Sequence, residues 1–317
     1  MVRPQKDARN SGFGDKLLYA LSIGAAVSAM VVLAAIGWRV LGGSTEAWDV
    51  FGIDFLTDTA WVPNAGNGGV YGAGVMIYGT IVTSAMALVI ALPVGVAIGL
   101  YLSELAPKSV ARVVGPLVEM LAAVPSVIVG FWGVLVLAPF VQSTIEPFLH
   151  DNFGFIPLFG EPQTNGSSLF TAGLVLAIMV LPIVASISRD LFLTVPREMK
   201  DGAEALGATH WEIVRGIDLP SCSAGIASAG LLALGRALGE AIAVTQVIGA
   251  GTQIHTSLFM TGDTLASRIA TQFPGAVSDL HISSMYYLAA ILLVIGVIAN
   301  LGAIWIAKRF DVSRMAT

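Results

Sequence analysis

Apolar residues in this chain gather in long blocks, and polar residues punctuate the blocks. The blocks cover 17–41, 75–102, 113–141, 169–188, 222–250 and 285–307. At 1.5 Å per residue each is long enough to cross a hydrocarbon layer of about 30 Å. Block 17–41 exceeds the roughly 7–15 apolar residues of a signal sequence, so a retained anchor is expected. The pattern predicts an all-α protein of six membrane helices. Pro93, Pro125 and Pro182 interrupt three of them, and Gly95-x-x-x-Gly99 permits close helix approach.

The intervening segments differ in character. Residues 1–16 are a basic tail, 42–74 an acidic excursion with Glu46, Asp49, Asp54 and Asp58, and 142–168 is rich in Pro, Gly, Asn and Phe. Residues 189–221 form a polar connector, 251–284 a last excursion, and 308–317 a basic tail. Hydrophobic residues make up 56 % of the 317 positions and charged residues 12 %, against about 25 % charged in a soluble domain. The chain therefore reads as an integral membrane protein, and nothing in it suggests nucleic acid. Thirteen of the sixteen Lys and Arg fall in the tails, the Lys108–Arg112 turn and the connector. By the positive-inside rule those segments, with both termini, are cytoplasmic. The expected place is a bacterial plasma membrane.

Several chemistries are excluded. A single cysteine, Cys222, rules out an intrachain disulfide and any C-x-x-C site. No G-x-x-x-x-G-K-[ST] is present, so the chain does not itself hydrolyse ATP. No H-E-x-x-H or G-x-S-x-G occurs, and the four histidines are placed in loops. A transporter or channel subunit remains, not an enzyme, with no cofactor or metal expected in this chain.

Two stretches carry the function. In the connector, Pro196 suits a helix start and Gly207 a helix end. Thr209 and Glu212 are spaced as a capping box for a second short helix, with Pro220 as its stop. The fifth block is almost uncharged apart from Arg236, near its midpoint, and Glu240. An arginine there costs about 2.5–3.5 kcal/mol on insertion scales, so it faces a bundle interior or a water path. Its fork matches phosphate oxygens and stays charged. Gly235-x-x-x-Gly239 would let another backbone approach, and Glu240, one turn on, would neutralise Arg236 between transport events. An i,i+4 pair that merely stabilises the helix is the plain alternative.

Asp201-Gly202-Ala203, Gly207, Ile217 and Leu219-Pro220 resemble the signature loop of ABC-importer permeases, with Asp-Gly-Ala where that family carries Glu-Ala-Ala. Residues 234–249, LGRALGEAIAVTQVIG, look like the matching helix of phosphate-importer permeases of the PstC type. Glu104-Leu105-Ala106-Pro107, Ala122–Ser126 and 264–270 agree with this. The resemblance covers about 15–310. It implies a MetI-like permease fold and half of a phosphate pathway. The implied partners are a PstA-type sister permease, two cytoplasmic ATPase subunits that bind ATP and Mg, and an external phosphate-binding protein. Asp201, Gly202, Ala203, Gly207, Ile217, Leu219 and Pro220 are the implied ATPase-coupling residues.

Arg236 and Glu240 are the leading pathway candidates. Ser126, Thr245, Gln246 and Glu119 follow, though polar residues in spans also serve to cross-link helices. Two rival functions stand beside phosphate import. One is an ABC permease for sulfate or molybdate. The other is a stand-alone secondary carrier or channel, which would show inverted repeats and carboxylates in several spans.

Overall fold

The computed structural model describes residues 13–66, 69–163 and 165–309. Residues 1–12 and 310–317, most of the two expected tails, lie outside the described residues.

Among the described residues, six helices are long and apolar enough to cross a membrane: Gly14–Gly43, Gly74–Leu105, Ser126–Phe153, Leu169–Thr194, His210–Gly239 and Asp279–Trp305. They are called spans one to six. Span four is the axis of the bundle and the most buried, whereas the apolar stretch of span one has none of its residues buried. Span two turns a row of small residues inward: Thr80, Thr83, Ser84, Ala87, Ala91, Gly95 and Gly99. Their three- and four-residue spacing makes one smooth face, and smoothness is what lets helices approach where lipid removes the hydrophobic driving force. A Cβ added at Gly95 would lie 2.8 Å from Val184, and one at Gly99 2.8 Å from the Arg189 backbone. The small-xxx-small pair is thus the seam between spans two and four.

The main core joins Ala87 and Ala91 of span two to Leu137 and Val141 of span three, Val175 to Val184 of span four, and Ala233 and Ala237 of span five. A second core folds the 42–74 excursion onto span six, packing Phe55, Trp61 and Tyr71 against Met285 and Leu288. Its two-residue hairpin pairs Trp61 with Tyr71 and Val62 with Val70.

Several boundaries differ from the sequence expectation. The third span was expected over 113–141, but the chain breaks at 123–125 into a Lys108–Ala122 helix and a span starting at Ser126. Val124 precedes a proline, which disfavours helical geometry there, and Pro125 has no N–H to continue the ladder. Span four runs to Thr194 rather than 188, since Phe192 is buried with Val195 and Cys222 and Arg189 finds a carboxylate. Pro220 stops nothing. It occupies the first turn of the Leu219–Gly239 helix, where its missing N–H is harmless, and the capped His210–Ile213 helix reaches it through a π-helical turn, Val214–Asp218. Span five ends at Gly239 rather than 250, and a separate Ile242–Val247 helix follows. Only His255 of the four histidines lies in a loop: His150 falls in the Glu146–Phe153 helix at the end of span three, His210 opens span five, and His281 lies in the first turn of span six, buried against Tyr71.

At the end of the bundle away from the connector, the 154–168 and 249–263 segments interlock with their neighbours. Backbone bonds run from Ser168 N to Val247 O (3.1 Å), Phe170 N to Leu258 O (2.8 Å) and Gly262 N to Ile248 O (3.0 Å). The turn that permits this has Gly249 at φ +83° and Ala250 at φ +51°.

Candidate functional site

The site is built around the discontinuity in span five. Arg236 sits in the last turn of the Leu219–Gly239 helix, and Glu240 is already extended at φ −74°, ψ 117°. Three residues from its helix end, the guanidinium stands where unpaired carbonyls give the helix its negative pole. Arg236 and Glu240 form no ion pair. Glu240 Oε1 instead accepts from the Ala243 amide at 3.3 Å, holding the start of the Ile242–Val247 helix. The break at 240–241 swings the carboxylate away from the face that an unbroken helix would share with position 236. Gly235 and Gly239 meet nothing within 4 Å of an added Cβ, so the close approach expected of them does not occur among the described residues.

Arg236 is exposed and borders two cavities. One, about 730 Å³, lies between spans four, five and six and is lined by Ser228, Leu232, Gly235 and Asn300. The other, about 370 Å³, lies against spans three and four and is lined by Val124, Ile128, Trp132 and Pro182. Both walls are mostly apolar, so a guanidinium here keeps a strong field.

The other sequence candidates separate. Thr245 donates to Ala241 O at 2.8 Å and bonds Ser267 at 2.9 Å, a helix cross-link. Gln246 lies over Gly130, where an added Cβ would come within 3.0 Å of its amide, and its buried Oε1 has no hydrogen-bond partner among the described residues. Ser126 opens span three beside Pro125, half-buried. Glu119 is bound by Arg189 at 2.8 Å, the guanidinium passing over Gly115. That ion pair staples the Lys108–Ala122 helix to span four, and Glu119 is not beside Arg236 in either cavity lining.

The coupling candidates divide into two groups. Asp201, Gly202 and Gly207 are exposed, and Gly207 closes the Arg197–Ala205 helix at φ +87°. Ala203 is half-buried. Ile217 and Leu219 point inward, packing on Phe192, Val195 and Cys222, and Pro220 starts the span. The first group presents a surface; the second roots it. Exposed apolar side chains widen that surface: Met199, Trp211 and Leu206, the last 92 % exposed. The Thr209–Glu212 capping box forms in both directions.

Sequence reading missed three charged groupings. Lys200 bridges Glu104 and Asp218. Arg268 Nε lies 2.6 Å from Asp263 Oδ2, with the guanidinium 5.6 Å from the Trp61 ring. Burial pushes the Asp263 carboxyl above its ordinary range, and Arg268 pulls against that. Glu146, fully buried, accepts the Gln163 amide at 3.1 Å. Opposite charges at the ends of spans were the available signal, but nothing local says which of them meet.

A family model described as "Binding-protein-dependent transport system inner membrane component" matches residues 91–312. The chain is 41 % identical over 316 residues to the phosphate transport system permease protein PstC of Mesorhizobium japonicum, covering 98 % of this chain and 95 % of that protein. With PstC of Haemophilus influenzae it is 43 % identical over 273 residues, covering 85 % of each. In fold it is similar to a chain of a bacterial alginate ABC transporter crystallised with an alginate-bound periplasmic protein. There the TM-score is 0.61 at 17 % identity, over 94 % of this chain and 96 % of that one. A chain of the inward-facing MetNI methionine ABC transporter gives 0.54 at 17 % identity, over 74 % and 96 %. A discontinuous span carrying an arginine with no ion-pair partner among the described residues, and a capped polar connector rooted beneath it, thus sit in a chain that belongs to the binding-protein-dependent inner-membrane transport components and, among them, to the PstC-type phosphate permeases.

Proposed function

We propose that this chain is one of two membrane subunits of an ATP-driven phosphate importer and forms half of its pathway. The observation that carries the reading is Arg236, a guanidinium with no ion-pair partner among the described residues, open to two cavities at a break in span five. Its planar fork binds two oxygens of one phosphate, and its charge does not depend on pH. One cation per subunit holds the anion weakly enough to release it, which a pathway needs. Glu240 serves by holding the break open. The names of the relatives favour phosphate over another oxyanion.

The positive-inside bias places the connector in the cytoplasm. There the exposed Asp201–Gly207 surface docks an ATPase subunit, which supplies ATP and Mg chemistry this chain lacks. A PstA-type sister permease closes the other half of the wall, and an external phosphate-binding protein delivers substrate at the 154–168 and 249–263 end.

The test is ATP-dependent uptake of radiolabelled phosphate by the assembled complex. Arg236→Gln and Arg236→Lys, with normal assembly, should both take up phosphate poorly, since lysine keeps the charge but not the fork. Wild-type uptake in Arg236→Gln would reduce Arg236 to a structural residue. Uptake of sulfate or molybdate in place of phosphate by the wild type would establish the rival substrate.

A further inference from the structure

The Arg197–Ala205 helix has no buried residue. Its flanks are the Val195–Pro196 corner and the Gly207 turn. Among its side chains, Lys200 alone has a hydrogen bond or ion pair among the described residues. Lys200 Nζ lies 2.7 Å from Glu104 Oε1 and 2.9 Å from Asp218 Oδ1. Their side chains are 13 %, 15 % and 1 % exposed for Lys200, Glu104 and Asp218.

The three residues belong to three elements. Glu104 lies in the π-helical turn Tyr101–Leu105 that ends span two, and Asp218 in the π-helical turn Val214–Asp218 that leads into span five. Such widened turns accommodate displacement and recur at functional sites. Asp218 immediately precedes the 21-residue Leu219–Gly239 helix that carries Arg236. A push on the exposed helix therefore reaches the pathway by one side-chain route, through Lys200 into span five and, in parallel, into span two. Two carboxylates for one ammonium leave the group with a net negative charge, so the cation is the member the other two need. Burial works against the ammonium, but the contacts with Glu104 and then Asp218 outweigh it and raise its pKa, which keeps the clasp charged in the cell.

We propose that Lys200 is a positioning residue: by clasping Glu104 and Asp218 it makes the docking helix, span two and span five move as one body. This rests on the reading of that helix as the ATPase dock.

The experiment uses the complete transporter in proteoliposomes, measuring phosphate uptake and ATP hydrolysis together in wild type, Lys200→Met, Lys200→Arg and Glu104→Gln. Lys200→Met should still co-purify with its ATPase subunits and hydrolyse ATP, while phosphate delivered per ATP falls about tenfold, the scale of one lost charge-assisted contact. Lys200→Arg should restore most of the ratio, and Glu104→Gln, which removes one arm only, should fall between. An unchanged ratio in Lys200→Met overturns the proposal. So does loss of ATPase subunits from Lys200→Met, which would make Lys200 part of the dock. If Lys200→Met does not fold or insert in the membrane at all, so that neither permease subunit is recovered, Glu104→Gln decides alone: an unchanged ratio there overturns the clasp. A wild-type complex without ATP-dependent phosphate uptake would instead refute the importer reading, before any variant is compared.

Discussion

Gly99→Val probes the seam that holds span two to span four. A Cβ at position 99 would lie 2.8 Å from the Arg189 amide nitrogen and from Ser188 Cβ, and 3.0 Å from the Ala185 carbonyl oxygen. Two of those three atoms are span-four backbone, so no rotamer change relieves the overlap. Ordinary contact at about 3.5 Å requires the helices to part by ~0.7 Å. Over-packing of this sort costs about 1–3 kcal/mol, and valine's modest helix advantage over glycine returns only ~0.3 kcal/mol of it. A net loss of about 2 kcal/mol lowers the melting midpoint by about 3 °C for a chain of 317 residues. Cys222, buried and the sole cysteine, supplies the assay: a thiol-reactive fluorophore reports its exposure as the purified protein is heated. Gly37→Val is the control, because nothing lies within 4 Å of a Cβ there. Equal melting of the two variants would refute the seam as a determinant of stability.

Gly207→Val forces a branched residue into φ +87°, at a cost of about 1–2 kcal/mol. ATPase association, measured by co-purification at limiting subunit concentration, should weaken about tenfold. Thr245→Val removes the Ser267 cross-link and should lower stability slightly, by about 0.6 kcal/mol, read as a small drop in melting midpoint, while phosphate uptake stays at the wild-type level. The Lys200 pKa is raised above the ordinary 10.5, so the folded state holds that proton more tightly than the unfolded chain. The stability it contributes is complete below pH 10.5 and is lost as pH climbs through the folded value. The melting advantage of wild type over Lys200→Met should therefore stay flat through neutral pH and shrink only in strong alkali.

Much of this protein could be read from its order of residues because the signals are local. Six apolar blocks, a capping box, the Gly95-x-x-x-Gly99 face and a connector between the fourth and fifth blocks each lie within one short window, and each appears in the structure. Membrane helices are set chiefly by the cost of leaving backbone groups unpaired in lipid, which depends on hydropathy summed along the chain. Element ends were less legible, because a proline's effect depends on its setting. Pro93 and Pro182 remain inside helices, Pro125 breaks one, and Pro220 begins one.

Tertiary structure alone decided the charge pairing. Arg236 and Glu240 looked like partners at i,i+4, yet a break at 240–241 parts them, and the Ile242–Val247 helix beyond the break packs in one core with span three. Lys200 finds Glu104, 96 residues away, and Arg189 finds Glu119, 70 residues away. Coulomb attraction acts over ångströms of space, whereas a sequence window records only distance along the chain. The helices were written locally; which charges they bring together depended on the packing of spans two, four and five.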